Sequence, residues 1–128
     1  MRNFVRTYTP EKTANSENLV KVEYRRQCHD FQFDSDVPLD VRIMAYYGIP
    51  KSTSKKKHKL MLFKAVRPTK KPDCDNLCKI YLDALNAVAY KDDVQVVDLQ
   101  VRKFYSENPR VVVTIQKAET TPIEEVDV

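Results

Sequence analysis

Two periodic stretches constrain the fold of this 128-residue chain more than any other feature. In residues 39–47, apolar side chains alternate with more polar ones, which is the period of a β-strand. In residues 75–87, apolar side chains recur at steps of three and four and form one stripe of a helix. Residues 94–105 predict that another strand follows this helix. Strands that flank an amphipathic helix predict an α/β fold: a small mixed sheet with packed helices, in a single domain.

Two further helices are predicted on weaker signals. Thr9 followed by Pro10 is typical of a helix N-terminus, and we expect this helix to run to about Cys28. Residues 52–65 begin with a lysine cluster and continue with apolar side chains, which favours a short helix over a strand.

The C-terminal part predicts one more strand. Residues 111–116 are strongly β-branched, and residues 106–109 are expected to form the hairpin turn that joins them to the strand before. Both strands are apolar enough to contribute to the core. We expect the domain to comprise residues 1–117 and the acidic residues 118–128 to form a disordered tail.

Composition excludes several classes of protein. Hydrophobic residues make up 42% of the chain and charged residues 31%, which is typical of a soluble globular protein. No apolar run is long enough to cross a membrane, and no apolar signal region follows Met1, so we expect a cytoplasmic protein. Three cysteines provide no disulfide framework. The single glycine, Gly48, excludes glycine-rich phosphate loops, so no nucleotide cofactor is expected.

The middle of the chain is strongly basic, although the net charge is only +4. No acidic residue occurs between Val41 and Pro72, and this absence favours nucleic-acid binding over an ordinary solvated face. Phe63 is the one aromatic residue beside the lysine cluster, so the pattern indicates backbone recognition of duplex or branched nucleic acid rather than base stacking. The candidate contacts are Lys55, Lys56, Lys57, Lys59, Lys70 and Lys71.

Acidic residues bracket the predicted helix of residues 75–87. Asp73 and Asp75 lie at its start, where an aspartate either caps the helix or binds a cation. Asp92 and Asp93 lie before the next strand, in what is either a polar turn or a second source of ligands. Hard divalent ions select carboxylate oxygens. Carboxylates that converge beside a cationic segment would suit a metal ion acting on a phosphodiester.

Other side chains on this helix have two interpretations each. Lys79, one turn after Asp75, either balances charge or stabilises a phosphate in the transition state. Asp83 either pairs with Lys79 or supports the acidic site from a distance. Cys74 and Cys78 are one turn apart, but a zinc site needs two more ligands, so we interpret them as small apolar residues.

The ordered combination of these motifs resembles a known family. The segment Lys71-Pro-Asp-Cys-Asp-Asn-Leu-Cys-Lys79, then Asp83-Ala-Leu-Asn86, then Tyr90-Lys-Asp-Asp-Val-Gln-Val96 and Lys103, is similar to the RusA-type Holliday junction resolvases. These are endodeoxyribonucleases common in bacterial prophages. The close match covers residues 71–103, and the whole combination is far more specific than any one piece.

The resemblance implies a function in DNA recombination and repair. It implies that Asp73, Asp75 and Asp93 bind Mg²⁺, for which Mn²⁺ can substitute, with Lys79 as an essential basic partner. It further implies a small α/β homodimer that cuts four-way junction DNA by paired, symmetric nicks. Members usually carry a glycine after the segment equivalent to 83–86, where this chain has Ala87-Val-Ala. They also begin with an extra strand, which we expect to be absent here.

Two alternatives stay open at this point. The chain could be a non-catalytic DNA-binding module whose acidic residues only cap and solvate. It could also be a metal-dependent nuclease for other branched nucleic acids, such as flaps or RNA. The sequence does not decide between one and two metal ions.

Overall fold

The structure, a computed structural model, describes residues 4–10 and 16–127. The strands are β1 (Phe4–Pro10), β2 (Leu39–Gly48), β3 (Val96–Ser106) and β4 (Arg110–Lys117). The α-helices are α1 (Glu17–Cys28), α2 (Lys55–Leu62) and α3 (Cys74–Leu85). Short 3-10 helices occupy Asp93–Gln95 and Ile123–Glu125. The predicted α/β class is confirmed, as are the strand of residues 39–47, the short helix within 52–65 and the helix of 75–87.

The four strands form one mixed sheet in the order β1-β4-β2-β3. β2 pairs in parallel with β3 and antiparallel with β4, so it occupies an inner position. The predicted hairpin between the last two strands is therefore wrong. β2 alternates most regularly and buries one whole face, and β3 and β4 pair with its two sides instead of with each other. The turn between them passes over the end of β2, where Gly48 lies beside Pro109.

The first strand corrects the prediction for the N-terminal region. Thr9 and Pro10 end β1, which pairs antiparallel with β4, and they do not begin a helix. Pro10 is tolerated there because a strand end does not require its missing N–H group. α1 begins later, with Ser16 as N-cap accepting from the Leu19 N–H. The rest of the predicted helix start, residues 11–15, lies outside the described residues. A strand is thus present where the sequence analysis expected none.

The core lies between one face of the sheet and the helices α1 and α3. Alternate residues of β2 are fully buried on that face, and the corresponding residues of β4 are also buried. The helices contribute one stripe each: Val20, Tyr24 and Cys28 from α1, and Leu77, Tyr81, Ala84 and Leu85 from α3. The apolar periodicity of α3 therefore places its start and its end on a rigid layer, with its opposite face towards solvent.

β3 differs from the prediction in its start and its burial. It begins at Val96, after a 3-10 helix, and only Phe104 among its residues is buried. Val97 is 60% exposed and Leu99 is 43% exposed, although both were expected to contribute to the core. The reason is topological: β3 is an edge strand, and α3 leaves residues 97–100 of β3 uncovered.

The acidic C-terminal segment follows β4 directly. Its first residue, Ala118, donates a backbone hydrogen bond of 2.9 Å to the Pro38 carbonyl. The described part continues to Asp127 and contains the 3-10 helix Ile123–Glu125. Within residues 4–10 and 16–127, no helix has the length and apolarity that a membrane span requires.

Candidate metal and nucleic-acid site

The start of α3 carries the first two candidate ligands. Asp73 is the N-cap residue, and its Oδ1 accepts a 2.8 Å hydrogen bond from the Asn76 N–H. Asp75 lies in the first turn and is exposed. Both residues line an open depression together with Lys71, Pro72 and Asn76. The capping interpretation of Asp73 is confirmed, and it uses one of the two carboxylate oxygens.

The segment before α3 is held against the C-terminal ends of β2 and β3, which are called their upper ends below. The Tyr47 hydroxyl donates to the Pro72 carbonyl, and the Lys103 ammonium donates to the Lys70 carbonyl. Arg67 Nε donates a 3.0 Å hydrogen bond to the Lys103 carbonyl on the outer edge of β3. These tethers fix the approach to Asp73, so the start of α3 keeps a defined position beside the sheet.

The turn that contains Asp93 is held by two amide side chains. Asn86, the C-cap residue of α3, accepts a 3.1 Å hydrogen bond from the Asp93 N–H through its Oδ1. Gln95 is buried, and its Oε1 accepts from the backbone N–H groups of Lys91 and Asp92. Its Nε2 donates to backbone carbonyls of the loop before β2. The second acidic pair is thus part of a rigid turn, attached to the C-terminal end of α3.

The two groups of aspartates lie at opposite ends of α3. The helix contains 12 residues between the N-cap Asp73 and the C-cap Asn86, a rise of about 18 Å at 1.5 Å per residue. The described residues accordingly contain no group of three or more His, Cys, Asp or Glu side chains placed to hold a metal ion. The expected convergence of Asp73, Asp75 and Asp93 does not occur within one chain, although their oxygen donors are the type that a hard divalent ion requires.

Negative charge accumulates along the exposed side of α3. Partial burial raises the pKa of Asp93, and the neighbouring carboxylates of Asp92 and Asp83 raise it further. Partial burial also raises the pKa of the Cys78 thiol, with added contributions from Asp75 and Asp83. The Asp83 carboxylate therefore acts on both Cys78, near the middle of the helix, and Asp93, beyond its C-terminal end. This accumulation of like charges would favour a bound cation.

The expected partners of two helix residues are not observed. Among the ion pairs of the described residues, none joins Lys79 to Asp83. Both side chains are exposed. Cys74 is exposed and Cys78 is half-buried, and no histidine joins them in a metal-binding group within the described part of the chain.

A set of cations over aromatic rings was missed by the sequence analysis. Phe104 is buried, and its ring lies below Lys64, Arg67 and Arg102, at 4.9, 4.5 and 4.8 Å from the ring centroid. The stacked Tyr46 carries Arg110 at 4.2 Å. On the other side of the sheet, Lys70 and Lys103 lie over Tyr47. The available signal was the position of Phe104 directly after Arg102 and Lys103.

Together these cations form a belt around the upper end of β3 that leads to Asp73. The predicted contacts Lys70 and Lys71 are exposed within or beside this belt. The remaining predicted lysines are exposed on α2: Lys55, Lys56, Lys57 and Lys59. His58 of α2 lies with its Nε2 3.5 Å from Oε1 of Glu107. The surface beside Asp73 and Asp75 is therefore strongly cationic.

Comparison with known proteins gives a family match and a similar bacterial protein. The family model described as "Endodeoxyribonuclease RusA" matches residues 1–116. A Bacillus subtilis (strain 168) protein described as "Uncharacterized protein YqaN" is 51% identical over 82 residues. That alignment covers 62% of this chain and 58% of the relative. Because the family model matches most of the chain, including both acidic pairs, the chain belongs to the endodeoxyribonuclease RusA family.

Proposed function

We propose that this protein is a divalent-metal-dependent endodeoxyribonuclease that resolves four-way DNA junctions by paired, symmetric nicks. The observation that carries the proposal is the family match over residues 1–116, which includes Asp73, Asp75 and Asp93. Exposed carboxylates beside a cationic surface support it, because the substrate is a polyanion and the reaction needs a cation at the scissile phosphate.

The three aspartates would hold Mg²⁺, or Mn²⁺ in its place. Bound there, the ion would lower the pKa of the attacking water and polarise the phosphodiester. Asp73 keeps one oxygen on the helix N-terminus, which fixes the orientation of the other. Lys79, exposed one turn after Asp75, would stabilise negative charge that develops on the phosphate. The lysines of α2 and the cations around β3 would hold the DNA backbone.

A site made of all three aspartates requires a second copy of the chain. Asp73 and Asp75 are separated from Asp93 by the full length of α3. A homodimer could bring Asp73 and Asp75 of one subunit to Asp93 of the partner subunit. A two-fold symmetric dimer would then contain two such sites, which matches the symmetry of a junction that receives two equivalent nicks.

The direct test is cleavage of a labelled synthetic four-way junction, beside a linear duplex of the same sequence, with and without Mg²⁺. We expect Mg²⁺-dependent nicks at paired positions of the junction alone. Asp75→Asn should abolish nicking while junction binding stays equal or becomes tighter, because a negative charge near the phosphate is removed. Near wild-type cleavage by Asp75→Asn would show that this residue is not a ligand.

Complementation tests the shared site. Asp75→Asn and Asp93→Asn homodimers should both be inactive, but a mixture that exchanges subunits should regain nicking. One of the two sites in each mixed dimer then receives its intact aspartates from different subunits. If each site were contained within one chain, every site of the mixed dimer would carry one substitution and activity would stay absent.

A substrate panel separates junction resolution from cleavage of other structures. Flap, splayed-arm and RNA hairpin substrates of matched length are compared with the four-way junction at equal protein concentration. Preference for the junction supports the proposal. A stronger preference for a flap or for RNA would assign the protein to a metal-dependent nuclease of another branched nucleic acid.

A further inference from the structure

The outer edge of β3 is open along its lower half. β3 is the last strand of the sheet, and no strand among the described residues pairs with its outer side. At the upper end, Arg67 occupies the outward-facing carbonyl of Lys103. Below this point, Asp98, Leu99 and Gln100 are exposed. An unpaired strand edge with exposed apolar side chains is a site for pairing with another chain.

The opposite edge of the sheet is blocked. Gln27 of α1 accepts a 2.9 Å hydrogen bond from the Tyr8 N–H and donates one of 2.9 Å to the Tyr8 carbonyl. Both outward backbone groups of Tyr8 are thus occupied by one side-chain amide. Pro10 removes a further donor at the end of this strand. Pairing through β3 is therefore favoured over pairing through β1.

The charges of β3 are complementary to those of a second copy of β3 that runs antiparallel to it. Asp98 and Arg102 lie on the sheet face opposite α1 and α3, and neither makes an ion pair among the described residues; Arg102 lies over the Phe104 ring at 4.8 Å. On the neighbouring strand β2, Asp40 lies opposite Asp98, and Arg42 is bound to Asp40 at 3.1 Å. An antiparallel copy of β3 centred on Gln100 would place Asp98 opposite Arg102 twice, once on each side of the axis.

We propose that β3 is the interface through which two copies of this chain associate, as antiparallel neighbours with Gln100 opposite Gln100. The backbone direction agrees with this register. The Lys103 carbonyl points outward, so the groups of Leu99 and Val101 also point outward and can form the hydrogen-bonded pair of the ladder. Leu99 and Val101 meet on the helix side, and Asp98 and Arg102 meet on the opposite side. Arg67 limits the ladder to residues 98–102.

This interface also accounts for the shared site, and in that respect it rests on the proposed function. Antiparallel pairing brings the start of one β3 beside the end of the other. Asp93 precedes the start of β3. Pro72 and Asp73 lie near the end of β3, because the Pro72 carbonyl is bound by Tyr47 of β2, which pairs with Tyr105 of β3. Asp93 of one subunit would therefore lie beside Asp73 and Asp75 of the partner subunit.

A charge exchange tests the interface without any measurement of activity. Asp98→Arg should raise the dimer dissociation constant about tenfold or more in sedimentation equilibrium, because two attractive pairs become repulsive. The double variant Asp98→Arg/Arg102→Asp should restore association. Arg6→Asp on the blocked edge is the matched control and should leave it unchanged. Equal dissociation constants for wild type and Asp98→Arg would overturn the proposal.

Cross-linking gives an independent measurement of the register. Opposed residues of a non-hydrogen-bonded pair have Cα atoms about 4.5 Å apart, which suits a disulfide. In a Cys74→Ser/Cys78→Ser background, Gln100→Cys should form a covalent dimer under mild oxidation, and Arg6→Cys should not. A dimer that forms this bond but does not nick DNA would contradict the proposed function alone. Junction nicking by a dimer that fails both tests would contradict this interface alone.

Discussion

Gln95 provides the sharpest test of how the fold positions the candidate site. Its side chain is 7% exposed and makes four hydrogen bonds. Two are accepted from the backbone N–H groups of Lys91 and Asp92, at 2.9 and 3.1 Å. Two are donated to the carbonyls of Asp34 and Val37, at 2.7 and 3.0 Å. One residue thus connects the loop before β2 to the acidic turn before β3.

Gln95→Met keeps the length of the side chain and removes all of its hydrogen-bonding groups. At about 1 kcal/mol net for each hydrogen bond, the loss of all these bonds lowers the free energy of unfolding by about 4 kcal/mol. Urea denaturation followed by circular dichroism should therefore show a midpoint about 2 M lower, for a slope of about 2 kcal/mol per molar. Amide hydrogen exchange should also become faster at Lys91 and Asp92.

Gln32→Met is the matched control. Gln32 donates to the Ala87 carbonyl at 3.0 Å, and its other contacts, with Val88 and Tyr90, are longer at 3.5 and 3.4 Å. We expect this substitution to cost about 1 kcal/mol. If Gln95→Met destabilises the protein no more than Gln32→Met does, the acidic turn is held by its backbone alone and the reasoning fails.

Two other measurements follow from the exposed residues. Three lysines begin α2: Lys55, Lys56 and Lys57. Their replacement by alanine should weaken binding to all DNA and reduce the slope of log affinity against log salt concentration, by up to about 0.9 for each lost phosphate contact. Lys117→Ala on β4 is the control and should leave both the affinity and the slope unchanged. Alkylation followed by mass spectrometry near neutral pH should modify the exposed Cys74 first. Cys78 should react more slowly, because its raised thiol pKa leaves less thiolate, and equal rates for the two would contradict this.

The elements that could be predicted are those whose periodicity agrees with their burial. β2 alternates and buries every second side chain, and α3 buries the stripe that its sequence displays. Asp73 and Asp75 were correctly placed at a helix start, because N-capping is a local property of the sequence. Which carboxylates carry the chemistry came from the family resemblance, and their assignment as ligands remains a prediction.

The features that were missed depend on contacts between distant residues. Thr9 and Pro10 carry a local helix signal, but strand β4 offers backbone partners that outweigh it. No local signal shows that β2 lies between β3 and β4, so the sequence of residues 106–109 alone predicts a hairpin turn. The separation of Asp93 from Asp73 is also a tertiary property. It follows from the direction in which α3 runs along the sheet.

The order of the strands has a consequence for how the chain folds during synthesis. β1 pairs only with β4 among the described strands, and its Phe4 is aligned with Gln116. β2 likewise finds both of its neighbours in the last third of the sequence. No strand pair can therefore form until most of the chain has left the ribosome, and such distant pairings are slow to form. The first strand emerges early and stays without its partner until β4 is made, which prolongs the time in which the incomplete sheet can associate with other chains.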